Sequence, residues 1–71
     1  MKVMPSSVIE DYDYDADARE LEITFVTGRV YVYSRVPEDV FEGFLAASSK
    51  GEFFNAHIRN DYPYREITRA H

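Results

Sequence analysis

The alternation of apolar and polar residues in the first half of the chain predicts antiparallel strands. Residues 20–25 alternate strictly between polar and apolar side chains, which is typical of a half-buried strand. A looser alternation over residues 8–14 predicts a preceding strand with tyrosines on one face and aspartates on the other, although Ile9 breaks the pattern. Pro5 predicts an extended segment over residues 4–7.

A third predicted strand carries Tyr31-Val-Tyr33, and the loop before it decides which face these two tyrosines occupy. Thr27-Gly28 predicts a hairpin turn, because glycine adopts a positive φ without steric cost. A two-residue loop pairs Phe25 with Val30 and leaves the tyrosines on the open face. A three-residue loop that ends in a bulge at the glycine pairs Phe25 with Arg29, and the tyrosines then lie on the core face. Both registers fit the sequence, and the preference of tyrosine for a hydrated hydroxyl favours partly buried rings.

Helical spacing of apolar residues predicts a first helix after the strands. Pro37 followed by two acidic residues is a typical helix start, since proline suits the first helical position and acids suit the positive end of the helix dipole. An interior glycine, Gly43, indicates close approach of another element. The predicted apolar stripe comprises Val40, Phe41, Phe44 and Leu45.

A second helix and a C-terminal segment complete the predicted α+β fold. Ser49 and Glu52 have the spacing of a capping box. The apolar face of this helix is predicted to comprise Phe53, Phe54, His57 and Ile58. Residues 64–67 fit either a short terminal strand or an ordered tail. The prediction is a three-stranded antiparallel meander followed by two short helices packed on one face, in the order β-β-β-α-α.

Length, composition and charge restrict the functional classes. The 71 residues suffice for a single domain spanning residues 1–71, with a core over about residues 6–67. The absence of cysteine excludes disulfides and thiolate metal sites. The start of the chain does not resemble a signal peptide, and no apolar run approaches membrane-spanning length, so we expect a cytoplasmic protein without a membrane partner. The net charge of −5 arises entirely within residues 1–28, because residues 29–71 are neutral.

No motif for catalysis or for a cofactor is present. The aspartates at positions 11, 13, 15 and 17 have the spacing of a calcium loop, but the sixth position is Ala16, where a sharp turn needs glycine. His57 has no partner motif and is expected at the core edge, bonded to a backbone group. Neither a serine nucleophile motif nor a glycine-rich phosphate loop occurs. We therefore expect neither an enzyme, nor a cofactor, nor a metal site.

The segment from residue 50 to residue 65 is the candidate for binding chemistry. Arginines here flank tyrosines, and the two residue types together provide phosphate or carboxylate recognition and stacking surfaces. Interleaved basic and aromatic residues are typical of single-stranded nucleic-acid sites. Spacing alone favours a structural interpretation, with Arg59 paired to Asp61, Glu52 or an acid of the first strand and the tyrosines completing a small core, because a nucleic-acid face is normally clearly basic.

Taken together, the order and spacing of several short motifs resemble the KTSC domain family. The motifs are Met4-Pro-Ser-Ser, Leu21-Glu-Ile-Thr-Phe25 with Gly28, Tyr31-Val-Tyr33, Val36-Pro37, Ala47-Ser-Ser-Lys-Gly51, Phe53-Phe-Asn55, Ile58-Arg59 and Tyr62-Pro-Tyr-Arg65. Members of this family occur alone and at the C-terminus of some lysyl-tRNA synthetases. The resemblance implies a domain of unestablished function for which RNA binding has been suggested. The acidic first strand of this chain departs from that pattern.

These observations give a functional hypothesis and an alternative. The hypothesis is a non-catalytic module that binds RNA, with tRNA as a candidate, through Tyr31, Tyr33, Lys50, Asn55, Arg59, Tyr62, Tyr64 and Arg65. Tyrosines would stack on bases, arginines would hold phosphates, and Asn55 would contact a base edge or cap the local backbone. The alternative is a protein–protein interaction adaptor that uses the same surface, with the acidic half suited to a basic partner.

Overall fold

A four-stranded antiparallel sheet and two helices form the part of the chain that the computed structural model describes, residues 8–67. The strands are β1 (Ile9–Asp15), β2 (Glu20–Phe25), β3 (Val30–Tyr33) and β4 (Tyr64–Ile67), in the spatial order β1-β2-β3-β4. The helices α1 (Glu38–Ala46) and α2 (Lys50–His57) connect β3 to β4 and cover one face of the sheet. The predicted α+β fold is confirmed, and the C-terminal segment is a strand. The extended segment predicted over residues 4–7 lies outside the described residues.

The hairpin between β2 and β3 has the three-residue loop. The Phe25 amide donates a hydrogen bond to the Arg29 carbonyl oxygen over 2.9 Å, and Gly28 has a φ of +94°. Ile23 is therefore opposite Tyr31 in the sheet. Because paired residues share a face, the two tyrosines of β3 lie on the helix-covered face.

A bulge in β1 explains why Ile9 interrupts the alternation. Ile9 is opposite Phe25, but Asp11 is opposite Thr24, so β1 contains one residue more than β2 over this interval. The extra residue shifts the phase of alternation by one. As a result, Ile9 and Tyr12 both pack against the core, although their spacing is odd.

The core lies between the helix-covered face of the sheet and the two helices. Its buried members are Leu21, Ile23, Tyr33, Val36, Phe44, Phe54 and Ile58. Two predictions for the helices are wrong at single positions. Leu45 is 43% exposed, because it lies on the outer side of α1. His57 is also exposed, and its ring packs on Phe53 at a centroid distance of 4.6 Å rather than reaching the core.

The helix starts follow the predicted capping chemistry. Pro37 directly precedes the first helical residue of α1 as its N-cap, one position earlier than predicted. The Ser49 hydroxyl accepts a hydrogen bond from the Glu52 amide over 3.2 Å at the start of α2. At Gly43 an added Cβ would lie 2.9 Å from Phe53 Cζ, so this glycine permits the close approach of α1 and α2.

The opposite face of the sheet is strongly acidic. Asp13 is directly opposite Glu22, and Asp15 is directly opposite Glu20. Like charges in such pairs repel each other. We call this surface the acidic sheet face, and it consists of Asp11, Asp13, Asp15, Glu20 and Glu22.

Candidate functional site

A pocket of about 260 Å³ lies where the tip of the β2–β3 hairpin meets the C-terminal end of α2. Half of its lining residues are aromatic, and two are arginines. The lining residues are Val8, Phe25, Thr27, Arg29, Tyr31, Tyr33, Phe54 and Arg59. A pocket of this size lies just below the range of about 300–1,000 Å³ that is usual for small-molecule sites. It has room for one small aromatic group.

Four aromatic rings form a closed ring of contacts around this pocket. Phe25 contacts Tyr31 and Phe54 edge-to-face, each at a centroid distance of 5.6 Å. Tyr33 lies edge-to-face with Phe54 at 5.3 Å and tilted against Tyr31 at 6.5 Å. Such contacts fix the rings in place. We call this group the aromatic ring cluster (Phe25, Tyr31, Tyr33 and Phe54).

Tyr64 of β4 extends the aromatic surface outwards. Its ring stacks on Tyr31 at a centroid distance of 5.2 Å with an interplanar angle of 3°, and it lies 5.3 Å from the ring of Tyr33. Tyr64 is 57% exposed, so part of its ring remains available to a ligand. Tyr62, by contrast, packs half-buried against the core.

The two arginines differ in their partners. Arg59 donates a hydrogen bond from Nη1 to Oδ1 of Asn55 over 3.1 Å, one helical turn earlier. Within residues 8–67, no carboxylate forms an ion pair with Arg59. Arg29 contacts Glu66 at 3.4 Å, and both side chains are largely exposed. An exposed pair of this kind is weak and can open for a ligand.

Burial raises the pKa of the Tyr33 phenol. Desolvation raises the pKa of Tyr33 to about 12, the neighbouring Tyr64 and Tyr31 hydroxyls add to this rise, and Arg59 opposes it. At neutral pH the Tyr33 hydroxyl can therefore both donate and accept a hydrogen bond.

The structure brings five of the eight candidate residues together and leaves Lys50, Tyr62 and Arg65 away from the pocket. Tyr31, Tyr33, Asn55, Arg59 and Tyr64 lie at or beside it.

Arg65 and Lys50 lie elsewhere. Arg65 points to the opposite face of the sheet, where Nη1 lies 3.4 Å from Oε2 of Glu20. Lys50 lies at the start of α2, and its Nζ donates to the Leu45 carbonyl oxygen over 3.3 Å.

Sequence reasoning missed several lining residues because they come from separate elements. Phe25 and Phe54 were interpreted only as core residues, yet each also forms part of the pocket wall. Arg29 follows the glycine of the hairpin turn, and once the three-residue loop is known its position opposite Phe25 places it at the pocket. The position of Arg29 in the hairpin, close in sequence to Tyr31 and Tyr33, was the feature of the sequence that could have identified it as a site residue.

Other candidate chemistry finds no support in the described residues. Asp11, Asp13 and Asp15 lie along a strand rather than in a binding loop, and Asp15 Oδ1 accepts from the amides of Asp17 and Ala18 in the turn. Within residues 8–67, no group of three or more potential ligands could hold a metal ion. Over the same residues, neither helix is long and apolar enough to cross a membrane.

Comparison with known proteins gives consistent matches over nearly the whole chain. The family model described as the KTSC domain matches residues 5–62. A lysine–tRNA ligase of Nostoc punctiforme is 36% identical over 62 residues, which is 87% of this chain and 11% of the ligase. A protein of Tsukamurella paurometabola is 39% identical over 59 residues, covering 83% of this chain and 88% of that protein. The chain thus spans about a tenth of the length of the matched ligase.

A solved structure supports the same relationship. The crystal structure of a KTSC domain protein from Yersinia pestis superposes with a TM-score of 0.82 at 40% sequence identity. The match covers 93% of each chain, so the fold described above extends to that protein.

Proposed function

The chain belongs to the KTSC domain family, and from its aromatic pocket we propose that it is a non-catalytic module that binds RNA, with tRNA as the first candidate. The observation that carries the proposal is a pocket walled by aromatic rings and bordered by two guanidinium groups. A base can insert against the rings while the adjoining phosphates meet the arginines. This division between stacking and charge is typical of single-stranded nucleic-acid sites.

Stacking supplies the first part of the binding free energy. The exposed part of Tyr64 adjoins Tyr31 and the pocket, so a base leaving the pocket meets a second ring. Each stacked base contributes about 1–3 kcal/mol in sites of this kind. The pocket volume of about 260 Å³ supports one inserted base rather than several.

Phosphate contacts supply the second part of the binding free energy, and the charge distribution of the protein limits the number of these contacts. Arg29 and Arg59 are the arginines at the pocket, whereas the acidic sheet face would repel a passing strand. Two phosphate contacts on a single strand give a slope of about −1.4 in log K against log salt concentration. Affinity should therefore fall about sevenfold between roughly 50 and 200 mM salt.

The similarity to segments of lysine–tRNA ligases is the reason for choosing tRNA as the first RNA to test. Lysine–tRNA ligases of Nostoc punctiforme and Trichormus variabilis contain segments that are 36% and 34% identical to this chain. A domain attached to a protein with a tRNA substrate is well placed to contact that RNA. This chain would use the same surface on a related RNA.

The test compares two arginines on opposite faces of the sheet. Arg59→Ala removes a guanidinium from the pocket, and Arg65→Ala removes an exposed guanidinium from the other face. We expect Arg59→Ala to weaken binding of a labelled tRNA pool about tenfold and Arg65→Ala to leave it unchanged. Equal losses for the two variants would contradict a site in the pocket. No binding to the wild-type protein at about 50 mM salt would contradict RNA binding itself.

The acidic sheet face favours a second candidate, a protein-interaction adaptor. Its carboxylates are complementary to a basic protein, and the tyrosines and arginines are typical of interface hot spots. A basic protein partner whose binding is lost in Asp13→Lys, together with no binding of RNA, would favour this function.

A further inference from the structure

The Tyr33 hydroxyl is a nearly buried polar group for which residues 8–67 provide no hydrogen-bond partner. Tyr33 is only 2% exposed, and its ring packs among Tyr31, Phe54 and Tyr64. Within this part of the chain, no backbone or side-chain group accepts from or donates to its oxygen. A hydroxyl in such a confined position has only solvent or a ligand left as a hydrogen-bond partner.

The remaining exposure of Tyr33 includes its oxygen. Among residues 8–67, every fully buried side-chain nitrogen or oxygen has a partner, so the unpartnered Tyr33 oxygen still reaches solvent. Tyr33 lines the pocket, and its ring is otherwise enclosed by other rings. The pocket is therefore where its oxygen meets solvent.

We propose that the Tyr33 hydroxyl selects the ligand, by donating a hydrogen bond to an acceptor on the edge of a nucleobase inserted into the pocket. This inference rests on the proposed function and names the ligand of the same site, an unstacked base with a ring nitrogen or carbonyl oxygen facing Tyr33. Like any tyrosine phenol, that of Tyr33 is neutral at physiological pH, so its proton is available for such a bond.

The surrounding groups fit a base better than a cation. Aromatic enclosures without carboxylates nearby can bind quaternary ammonium groups. Here, however, the Arg59 guanidinium borders the pocket without a carboxylate partner in residues 8–67, and it repels a positive ligand. A planar group attached to an anion can stack on the aromatic rings while its negative charge pairs with Arg59.

The test removes one hydroxyl and keeps the ring. Tyr33→Phe is compared with Tyr14→Phe, because Tyr14 is a half-buried tyrosine whose hydroxyl donates to the Val36 carbonyl oxygen, and neither residue lines the pocket. Binding to labelled homopolymers of A, C, G and U is measured by fluorescence anisotropy, and stability is measured by urea denaturation. Tyr33→Phe should be as stable as the wild type or more so, and it should bind the preferred homopolymer about tenfold more weakly. Tyr14→Phe should show the reverse, with lower stability and unchanged binding.

The outcomes separate this inference from the proposed function. Wild-type affinity in Tyr33→Phe, together with weak binding in Arg59→Ala, would overturn the role of the hydroxyl and leave RNA binding intact. A loss of stability in Tyr33→Phe would mean that the hydroxyl is structural, and it would also overturn the inference. Equal losses on all four homopolymers would contradict selection of a base edge. If the wild-type protein binds none of the homopolymers and no tRNA, the proposed function itself fails.

Discussion

The Tyr14 hydroxyl donates a hydrogen bond to the carbonyl oxygen of Val36 over 2.6 Å. This bond joins strand β1 to the segment that leads into α1. The Val36 amide in turn donates to the Arg19 carbonyl oxygen over 2.9 Å, so Val36 is held from both sides. The end of the meander and the start of the helical layer are thereby fixed to each other.

Tyr14→Phe should destabilise the protein by about 1 kcal/mol, because it leaves the Val36 carbonyl without this donor. Urea denaturation measures the difference. Tyr12→Phe is the matched control, since the Tyr12 hydroxyl has no hydrogen bond within residues 8–67, and we expect its free energy of unfolding to change little. Equal effects for the two variants would show that the bond to Val36 does not contribute.

Gly43→Ala should destabilise the protein despite the higher helix propensity of alanine. Propensity favours alanine by about 1 kcal/mol, but the added Cβ would lie 2.9 Å from Phe53 Cζ. Overpacking of this kind costs about 1–3 kcal/mol, so a net loss of about 1 kcal/mol is expected in thermal or urea denaturation.

The same substitution in a Phe53→Leu background provides the control. Leucine lacks the ring atoms that approach Gly43, and there Gly43→Ala should become neutral or stabilising. A loss of stability of the same size in both backgrounds would contradict a steric origin.

Stability should fall at strongly alkaline pH, in part because of Tyr33. Its folded-state pKa is raised to about 12 by burial, above the unfolded value of 10.0, so the native state holds the proton longer than the unfolded state. The contribution of Tyr33 to the free energy of unfolding is fully present below pH 10 and is lost as the pH rises from 10 towards 12. Urea denaturation at pH 8, 10 and 11 should show this decline, and Tyr33→Phe should reduce it. An identical decline in that variant would assign the effect to other groups.

Much of the fold could be predicted because local pattern determined it. The strict alternation of residues 20–25 predicted β2, and the Ser49 cap predicted the start of α2. The hairpin register could not be chosen, because a loop of two or three residues fits Thr27-Gly28 equally well and the choice reverses the face of every residue in β3. Leu45 was assigned to the core because helical spacing alone does not show how wide the covered stripe is.

The pocket could be predicted only in part. Tyr31 and Arg59 were identified from their residue types, but Phe25 and Phe54 join them only after the sheet and α2 have packed. Arg65 is adjacent to Tyr64 in the sequence, and this proximity placed both in one candidate surface. Strand alternation sends their side chains to opposite faces, which became evident only once β4 was known to be a strand.

The most direct test of RNA binding at the pocket is an amide NMR titration of the labelled protein with a tRNA pool at about 50 and 200 mM salt. We expect shifts at Tyr31, Tyr33 and Arg59 that are larger at the lower salt concentration, with Asp13 of the acidic sheet face unmoved. A spectrum unchanged at the lower salt concentration, or shifts confined to the acidic sheet face, would contradict RNA binding at the pocket.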